Sequence, residues 1–246
     1  MYENLKKKFG QNFLIDKNIL IKITNLIKDN NLKIIEIGPG DGRLTDLIIK
    51  YKPNQLKLIE IDIDFIENLN LKFNKYKNIN IIHEDILNYE LNDQVDLIIS
   101  NLPYNISSQI LSKICLMSHL PFNLILMFQK EFAQRLQDNK LNSINSLVNC
   151  FYDIKTNFDV SKKCFRPIPK IDSKVLMFSK KKLPLVQKNE IKNFINFKRN
   201  LFSHKRKTLK NLLKKYDLKN IELDLTKRVE DISLNQLLSI FRKIIL

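Results

Sequence analysis

The chain has 246 residues, of which 44% are hydrophobic and 28% are charged. This composition is typical of a globular protein and excludes both a disordered chain and a disulfide-stapled scaffold. The net charge of +16 favours a polyanionic partner such as nucleic acid. An anionic membrane surface would also attract a chain of this net charge, and a lysine-biased genome would explain part of the excess of basic residues.

The cysteines and the hydropathy of the chain indicate in which cellular compartment the protein occurs. The three cysteines, Cys115, Cys150 and Cys164, form no C-x-x-C pair, which predicts reduced, apolar side chains and no zinc or other metal site. The lysine-rich N-terminus lacks the apolar segment of a secretory signal. The longest uncharged stretch, Ile114 to Gln129, is shorter than the ~20 apolar residues of a membrane span. These features predict a cytoplasmic protein with no membrane partner.

Short apolar runs alternate with amphipathic segments along most of the chain. The runs predict strands near 34–37, 56–61, 79–82, 95–99 and 124–128, and helical patterns fall between them. This alternation predicts an α/β fold with a Rossmann-like, mostly parallel sheet and helices on both faces. Two later stretches, near 151–158 and 174–178, have no helix between them and predict an antiparallel addition at one edge.

The pattern changes after the lysine run at 180–182. Residues 185–246 look wholly helical and contain 15 basic and 6 acidic residues. We therefore predict a main domain over residues 1–182 and a small, basic, all-α domain over residues 183–246. A nucleic-acid-facing surface is expected from the cations that share one helical region, Lys205, Arg206, Lys207, Lys210, Lys214 and Lys215.

Three of the four glycines lie in one five-residue window, at Gly38, Gly40 and Gly42, between a predicted strand and a predicted helix. Such a loop turns tightly and lets a ligand approach the backbone. Its G-x-G-x-G spacing is one residue shorter than the dinucleotide fingerprint, which argues against a nicotinamide enzyme. The string from Glu36 to Gly40 resembles instead the first motif of S-adenosylmethionine-dependent methyltransferases.

Carboxylates follow the strands around this loop. Glu60 ends the second predicted strand, Asp85 follows the third, and Glu36 ends the first. At these places they can accept hydrogen bonds from ribose hydroxyls, an adenine amino group and a methionine ammonium, respectively. An acidic site inside a basic protein suits a ligand with a sulfonium and an ammonium, and it suits a pyrophosphate poorly. The sequence therefore predicts S-adenosylmethionine as the bound methyl donor.

The tetrapeptide Asn101-Leu102-Pro103-Tyr104 follows the fourth predicted strand. The exocyclic amine of adenine is a poor nucleophile because its lone pair is delocalised into the ring. The amide oxygen of Asn101 and the carbonyl of Leu102 can accept its two N–H bonds and free that lone pair for attack on a methyl group. Pro103 fixes the turn, and Tyr104 offers a ring face to a base.

These motifs resemble those of the small-subunit ribosomal RNA adenine N6-dimethyltransferases, over residues 8–14, 36–45, 101–108, 165–173, 201–209 and 228–233. The resemblance implies two adjacent adenines near the 3′ end of small-subunit rRNA as the substrate, each methylated twice. It implies that Phe165 lies near the target base, opposite Tyr104. It also implies that the donor is contacted by Asn12, Leu14, Gly38, Glu60, Asp85 and Asn101.

The chain departs from the usual residues of that family at Asp41, Gly42, Glu84 and His204, which lie outside the proposed acceptors. A large-subunit rRNA adenine methylase would share the chemistry and the first domain. A DNA adenine methylase would need a larger recognition domain. A non-catalytic ribosome-assembly or transcription factor would bind RNA, but it has no need to activate an amine. We expect a monomeric enzyme whose partner is the immature small ribosomal subunit.

Overall fold

The structure is a computed structural model that describes residues 12–92, 94–204, 206–216 and 223–245. A two-stranded ribbon joins β1 (Phe13–Leu14) to β8 (Phe165–Arg166). A seven-stranded sheet forms the larger part, with strands β2 (Lys33–Ile37), β3 (Gln55–Glu60), β4 (Ile79–His83), β5 (Leu97–Asn101), β6 (Asn123–Gln129), β7 (Tyr152–Val160) and β9 (Ser173–Lys180).

The strand order in the sheet is β4-β3-β2-β5-β6-β9-β7. The first five strands are parallel, and β9 runs antiparallel to β6 with Leu126 opposite Leu176. The predicted α/β fold and the antiparallel edge are therefore confirmed. The direction of the strand order reverses between β2 and β5, which is where ligands bind in open sheets of this kind.

Helices connect most of the parallel strands, and the right-handed rule for such connections predicts helices on both faces of the sheet, because the strand order reverses between β2 and β5. Helix α1 begins after Asp16, whose carboxylate accepts from the N–H groups of Asn18 and Ile19. The helices are α1 (Lys17–Thr24), α2 (Thr45–Ile48), α3 (Ile63–Phe73), α4 (Ser107–Cys115), α5 (Lys130–Gln137), α6 (Asn145–Val148), α7 (Ile191–Phe202), α8 (Leu209–Leu212) and α9 (Leu234–Ile245).

The central strands are buried on both faces, which explains their lack of polar alternation. In β5, for example, Leu97, Ile98 and Ile99 are all at most 2% exposed. Each fully buried aliphatic side chain contributes about 2 kcal/mol of hydrophobic free energy. The sheet is thus a rigid support for the residues at its carboxyl edge.

The described residues divide into two compact units. The first contains the residues up to Ala133 together with Asp153–Lys180, and the second contains Gln134–Tyr152 together with the residues from Lys181 onward. The second unit therefore includes residues 134–152, which the sequence analysis assigned to the main domain. The domain boundary at residue 182 stays a prediction.

The second unit is helical and has an aromatic core. The ring of Phe241 lies 5.2 Å from that of Phe194 and 5.6 Å from that of Phe197. The side chain of Lys198 is buried in this unit and donates to the carbonyl and hydroxyl oxygens of Ser143 at 2.5 and 3.2 Å. Among residues 185–204, 206–216 and 223–245 there is no strand, as predicted.

The cationic surface predicted in the second unit can be examined in part. The side chains of Arg206, Lys207, Lys210, Lys214 and Lys215 are exposed, whereas the apolar residues between them are buried or half-buried. Lys205 of this run, like residues 8–11 of the N-terminal motif, lies outside the described residues. Within the described ranges, none of the helices combines the length and apolar character needed to cross a lipid bilayer.

Candidate active site

A cavity of about 320 Å³ lies at the carboxyl edge of the parallel strands, where the strand order reverses. Ligands of open α/β sheets bind at this place because loops diverge there and leave a crevice. The cavity wall contains all of the predicted site residues except Phe165, namely Asn12, Leu14, Gly38, Glu60, Asp85, Asn101, Leu102, Pro103 and Tyr104.

The glycine loop has three residues in the left-handed region, with φ of 64° at Gly38, 56° at Gly40 and 77° at Gly42. A Cβ on Gly40 would lie 2.7 Å from the ring of Phe13, so a side chain at Gly40 is excluded by packing as well as by conformation. A Cβ on Gly38 would meet no atom within 4 Å. Space for a ligand against the backbone is therefore open at Gly38.

Glu60 is buried at the end of β3 and held by three backbone donors. The N–H of Gly40 donates to Oε2 at 3.0 Å, and the N–H groups of Ile61 and Asp62 donate to Oε1 at 2.9 and 3.0 Å. Burial raises the pKa of Glu60, while these hydrogen bonds oppose the rise. The carboxylate has a fixed orientation, and Oε2, which accepts one N–H bond where Oε1 accepts two, retains acceptor capacity.

Glu36 is a second buried carboxyl group in the cavity wall. It is 1% exposed, and the hydroxyl of Thr45 donates to its Oε2 at 2.6 Å. Burial, with a smaller contribution from the charge of Glu60, raises the pKa of Glu36 to about 8. A cation bound beside Glu36 would offset this rise and favour the charged carboxylate.

Asp85 follows β4 and is half-buried in the cavity wall. Its Oδ1 accepts from the N–H of Leu87 at 2.8 Å, which fixes the carboxylate, and no described residue donates to its Oδ2. The cavity wall thus contains acidic groups from the ends of three neighbouring strands. These acidic acceptors fit a ligand with positive centres and hydroxyl or amino donors. No group of three or more potential metal ligands is found among the described residues.

Asn101 ends β5, and its amide has a defined orientation. The Nδ2 atom donates to the main-chain carbonyl of Asn12 at 2.9 Å. A carbonyl can only accept, so the nitrogen of the amide must face Asn12 and Oδ1 must face away from it. No described residue donates to Oδ1. The amide oxygen is therefore available as an acceptor in the cavity.

The carbonyl groups of Leu102 and Pro103 differ in whether they accept a hydrogen bond from a described residue. The carbonyl of Pro103 accepts from the N–H of Ile106 at 3.3 Å and from the hydroxyl of Ser107 at 3.0 Å, at the start of α4. No such bond from a described residue reaches the carbonyl of Leu102. Two adjacent oxygens, from the side chain of Asn101 and the backbone of Leu102, are thus unengaged at the cavity.

The ring of Tyr104 also lines the cavity, and its hydroxyl is fixed. It lies 2.7 Å from the hydroxyl of Ser173, which is fully buried at the start of β9. Burial raises the pKa of Tyr104, so the phenol is neutral at ordinary pH. This tether restricts the ring to one orientation. No local pattern in the sequence predicts this hydrogen bond, because the partners are 69 residues apart.

Phe165 is not part of the cavity wall. Its side chain is 0% exposed and belongs to the apolar cluster that includes Leu14, Val160 and Val175. The reason is the pleat of β8, which directs Phe165 inward and leaves the neighbouring Arg166 exposed. The ribbon nevertheless ties Phe165 to the site, because its register partner Leu14 lines the cavity. Contact of Phe165 with a target base stays a prediction.

Comparisons with known proteins agree on one family. A family profile described as "Ribosomal RNA adenine dimethylase" matches residues 2–245. A protein named "Ribosomal RNA small subunit methyltransferase A" from Mycoplasma capricolum is 41% identical over 220 residues, covering 85% of this chain and 82% of the relative. A protein of the same name from Borreliella burgdorferi is 38% identical over 254 residues, covering 96% and 87%.

Solved structures show the same architecture. A dimethyladenosine transferase from Plasmodium falciparum superposes with a TM-score of 0.79 at 25% identity, covering 94% of this chain and 98% of that one. The 23S rRNA methyltransferase ErmE superposes with a TM-score of 0.74 at 22% identity, covering 94% and 99%. The second likeness concerns the fold alone.

Proposed function

The chain belongs to the ribosomal RNA adenine dimethylase family, and we propose that it transfers methyl groups from S-adenosylmethionine to N6 of two adjacent adenines near the 3′ end of small-subunit rRNA. Each adenine would receive two methyl groups during maturation of the small subunit. The names of the relatives from Mycoplasma and Borreliella support this substrate over large-subunit rRNA. The observation that carries the proposal is the free Oδ1 of Asn101, oriented by Asn12, in a cavity with an acidic wall.

The acidic wall would hold the methyl donor. S-adenosylmethionine supplies a methyl group on a positively charged sulfur. Glu60 would accept from the ribose hydroxyls, Asp85 from the adenine amino group, and Glu36 would lie nearest the ammonium. Gly38 leaves room for close approach of the ligand to the backbone, and Asn12 and Leu14 would close the cavity from the ribbon. Fixed carboxylates cost little reorganisation when the ligand binds.

In the first transfer, the unengaged oxygens of Asn101 and Leu102 would accept the two N–H bonds of the target amine. Accepting both bonds localises the nitrogen lone pair and aims it at the methyl group, so much of the rate comes from positioning. Pro103 holds the turn, and the tethered ring of Tyr104 would stack on the adenine. As the bond from nitrogen to the methyl carbon forms, the bond from that carbon to sulfur would break, and the methylated nitrogen would then lose a proton to solvent, which requires no strongly perturbed base.

The second unit would supply affinity for RNA. Its exposed cations, from Arg206 to Lys215, would neutralise rRNA phosphates, while the target adenines leave their stack to enter the cavity. We further propose that the enzyme acts as a monomer in the cytoplasm.

The test is incubation of the protein with labelled S-adenosylmethionine and small subunits that lack the modification, followed by mapping of the labelled nucleotides. We expect dimethylation of two adjacent adenines near the 3′ end. Asn101→Ala should abolish transfer while donor binding stays measurable by calorimetry, whereas Asn80→Ala, an exposed change on β4, should be fully active. Label confined to large-subunit rRNA, or unchanged turnover of Asn101→Ala, would contradict the proposal.

A further inference from the structure

The segment Arg166–Asp172, here called the proline loop, lies between two residues that contact the cavity wall without being part of it. Before it, Phe165 pairs with Leu14, a cavity residue. After it, Ser173 bonds the hydroxyl of Tyr104 at 2.7 Å. Both residues that flank this seven-residue loop therefore contact cavity residues, which keeps the two ends of the loop beside the cavity. Ile168 lies three residues from Phe165, hence within about 11 Å of it even if the chain is fully extended.

The proline loop presents an apolar side chain between cations. Ile168 is 55% exposed, in contrast to the fully buried Phe165. Arg166 and Lys170, two residues before and after Ile168, are also exposed. An exposed aliphatic side chain flanked by positive charges matches a surface that offers both apolar faces and phosphates.

The loop is also held rigidly. Prolines at 167 and 169 restrict the backbone on both sides of Ile168. The carboxylate of Asp172 accepts from the N–H of Lys162 at 2.9 Å, and its carbonyl accepts from the N–H of Lys130 at 2.9 Å. A rigid loop loses little entropy when a partner binds to it.

We propose that Ile168 packs against the nucleobase next to the target adenine, while Arg166 and Lys170 contact the flanking phosphates. The inference rests on the proposed function, because it concerns the RNA strand that enters this cavity. When an adenine leaves its stack, the neighbouring base exposes an apolar face, and an aliphatic side chain that covers this face stabilises the open strand. Ile168 is therefore a specificity residue for the substrate strand, separate from the groups that hold the amine.

The first experiment compares Ile168→Ala with Phe122→Ala. Phe122 is 60% exposed and precedes β6, so it lies at the opposite edge of the same sheet and is a matched control. We expect Ile168→Ala to raise KM for small subunits about tenfold, the order of loss expected when the apolar contact of one aliphatic side chain is removed. The kcat and the donor affinity should stay within about twofold of wild type, and the melting temperature within about two degrees. Ile168→Leu should restore most of the loss.

The second experiment tests the cations. Arg166→Gln and Lys170→Gln should each lower the slope of log K against log salt for rRNA binding by about 0.7, the value for one lost phosphate contact on a single strand. Lys77→Gln, an exposed lysine just before β4 at the opposite edge, should leave the slope unchanged.

The outcomes separate this inference from the proposed function. Wild-type protein that methylates no adenine would contradict the proposed function itself. Active wild-type protein with an unchanged KM for Ile168→Ala would overturn the inference alone. A parallel loss of donor affinity and melting temperature in Ile168→Ala would also overturn it, because such a loss identifies a structural role.

Discussion

The hydroxyl of Thr45 donates a 2.6 Å hydrogen bond to the carboxyl group of Glu36, and both side chains are buried. This bond favours the charged carboxylate, but burial outweighs it and raises the pKa of Glu36 to about 8. In the absence of a bound cation, Glu36 is therefore mostly protonated in the folded chain at neutral pH, whereas the same group in the unfolded chain is ionised.

Replacing Glu36 by Gln should change how stability depends on pH. Between about pH 4.5 and 8 the folded state retains a proton on Glu36 that the unfolded state has lost, so stability falls as the pH rises through this window. We expect the free energy of unfolding of wild type to drop by up to about 4 kcal/mol relative to Glu36→Gln over that range. Urea unfolding at several pH values measures this difference, and parallel curves for the two proteins would contradict it.

Alanine at Gly40 should be far more damaging than alanine at Gly38. Both positions have positive φ, but only at Gly40 would the new Cβ lie 2.7 Å from Phe13. We expect a loss of about 1 kcal/mol for Gly38→Ala and about 3 kcal/mol for Gly40→Ala. Thermal unfolding checks the order. A Gly40→Ala, Phe13→Ala double variant should lose less than the sum of its single changes, and strict additivity would exclude the clash as the cause.

Glu60→Gln should weaken the binding of S-adenosylmethionine by at least about tenfold, because the loss of a charged acceptor costs about 1.5–3 kcal/mol. The amide would also turn a donor towards the N–H groups that now bond the carboxylate. Calorimetry with the donor alone measures the effect. Glu67→Gln, an exposed change on α3, is the control, and an equal dissociation constant for the two variants would remove the ribose assignment.

RNA binding should depend steeply on salt through the second unit. Changing Arg206, Lys210 and Lys214 together to Gln should lower the slope of log K against log salt by about 2 for an RNA from the 3′ end of small-subunit rRNA. Changing three exposed lysines of the first unit, Lys28, Lys50 and Lys77, is the charge-matched control. A similar loss of slope in both proteins would mean that the attraction is unspecific and not confined to the second unit.

The sequence by itself determined the features that depend on neighbours along the chain. Apolar runs without alternation identified the buried parallel strands, and the glycines at 38, 40 and 42 identified a loop that needs positive φ. The sequence also predicted that the tetrapeptide at 101–104 and the carboxylates after the strands lie at one site, since the carboxyl ends of parallel strands meet at one edge of the sheet. Local periodicity and residue chemistry are sufficient for such features.

Only the tertiary structure decided which groups hold the site residues in place. The carbonyl that orients Asn101 belongs to Asn12, 89 residues away, and it reaches the amide beside the two-residue strand β1, which is too short to show a period. The burial of Phe165 depends likewise on the pairing of β8 with β1. Hydrogen-bond partners and buried faces at such separations are set by the topology of the sheet, and no local pattern records them.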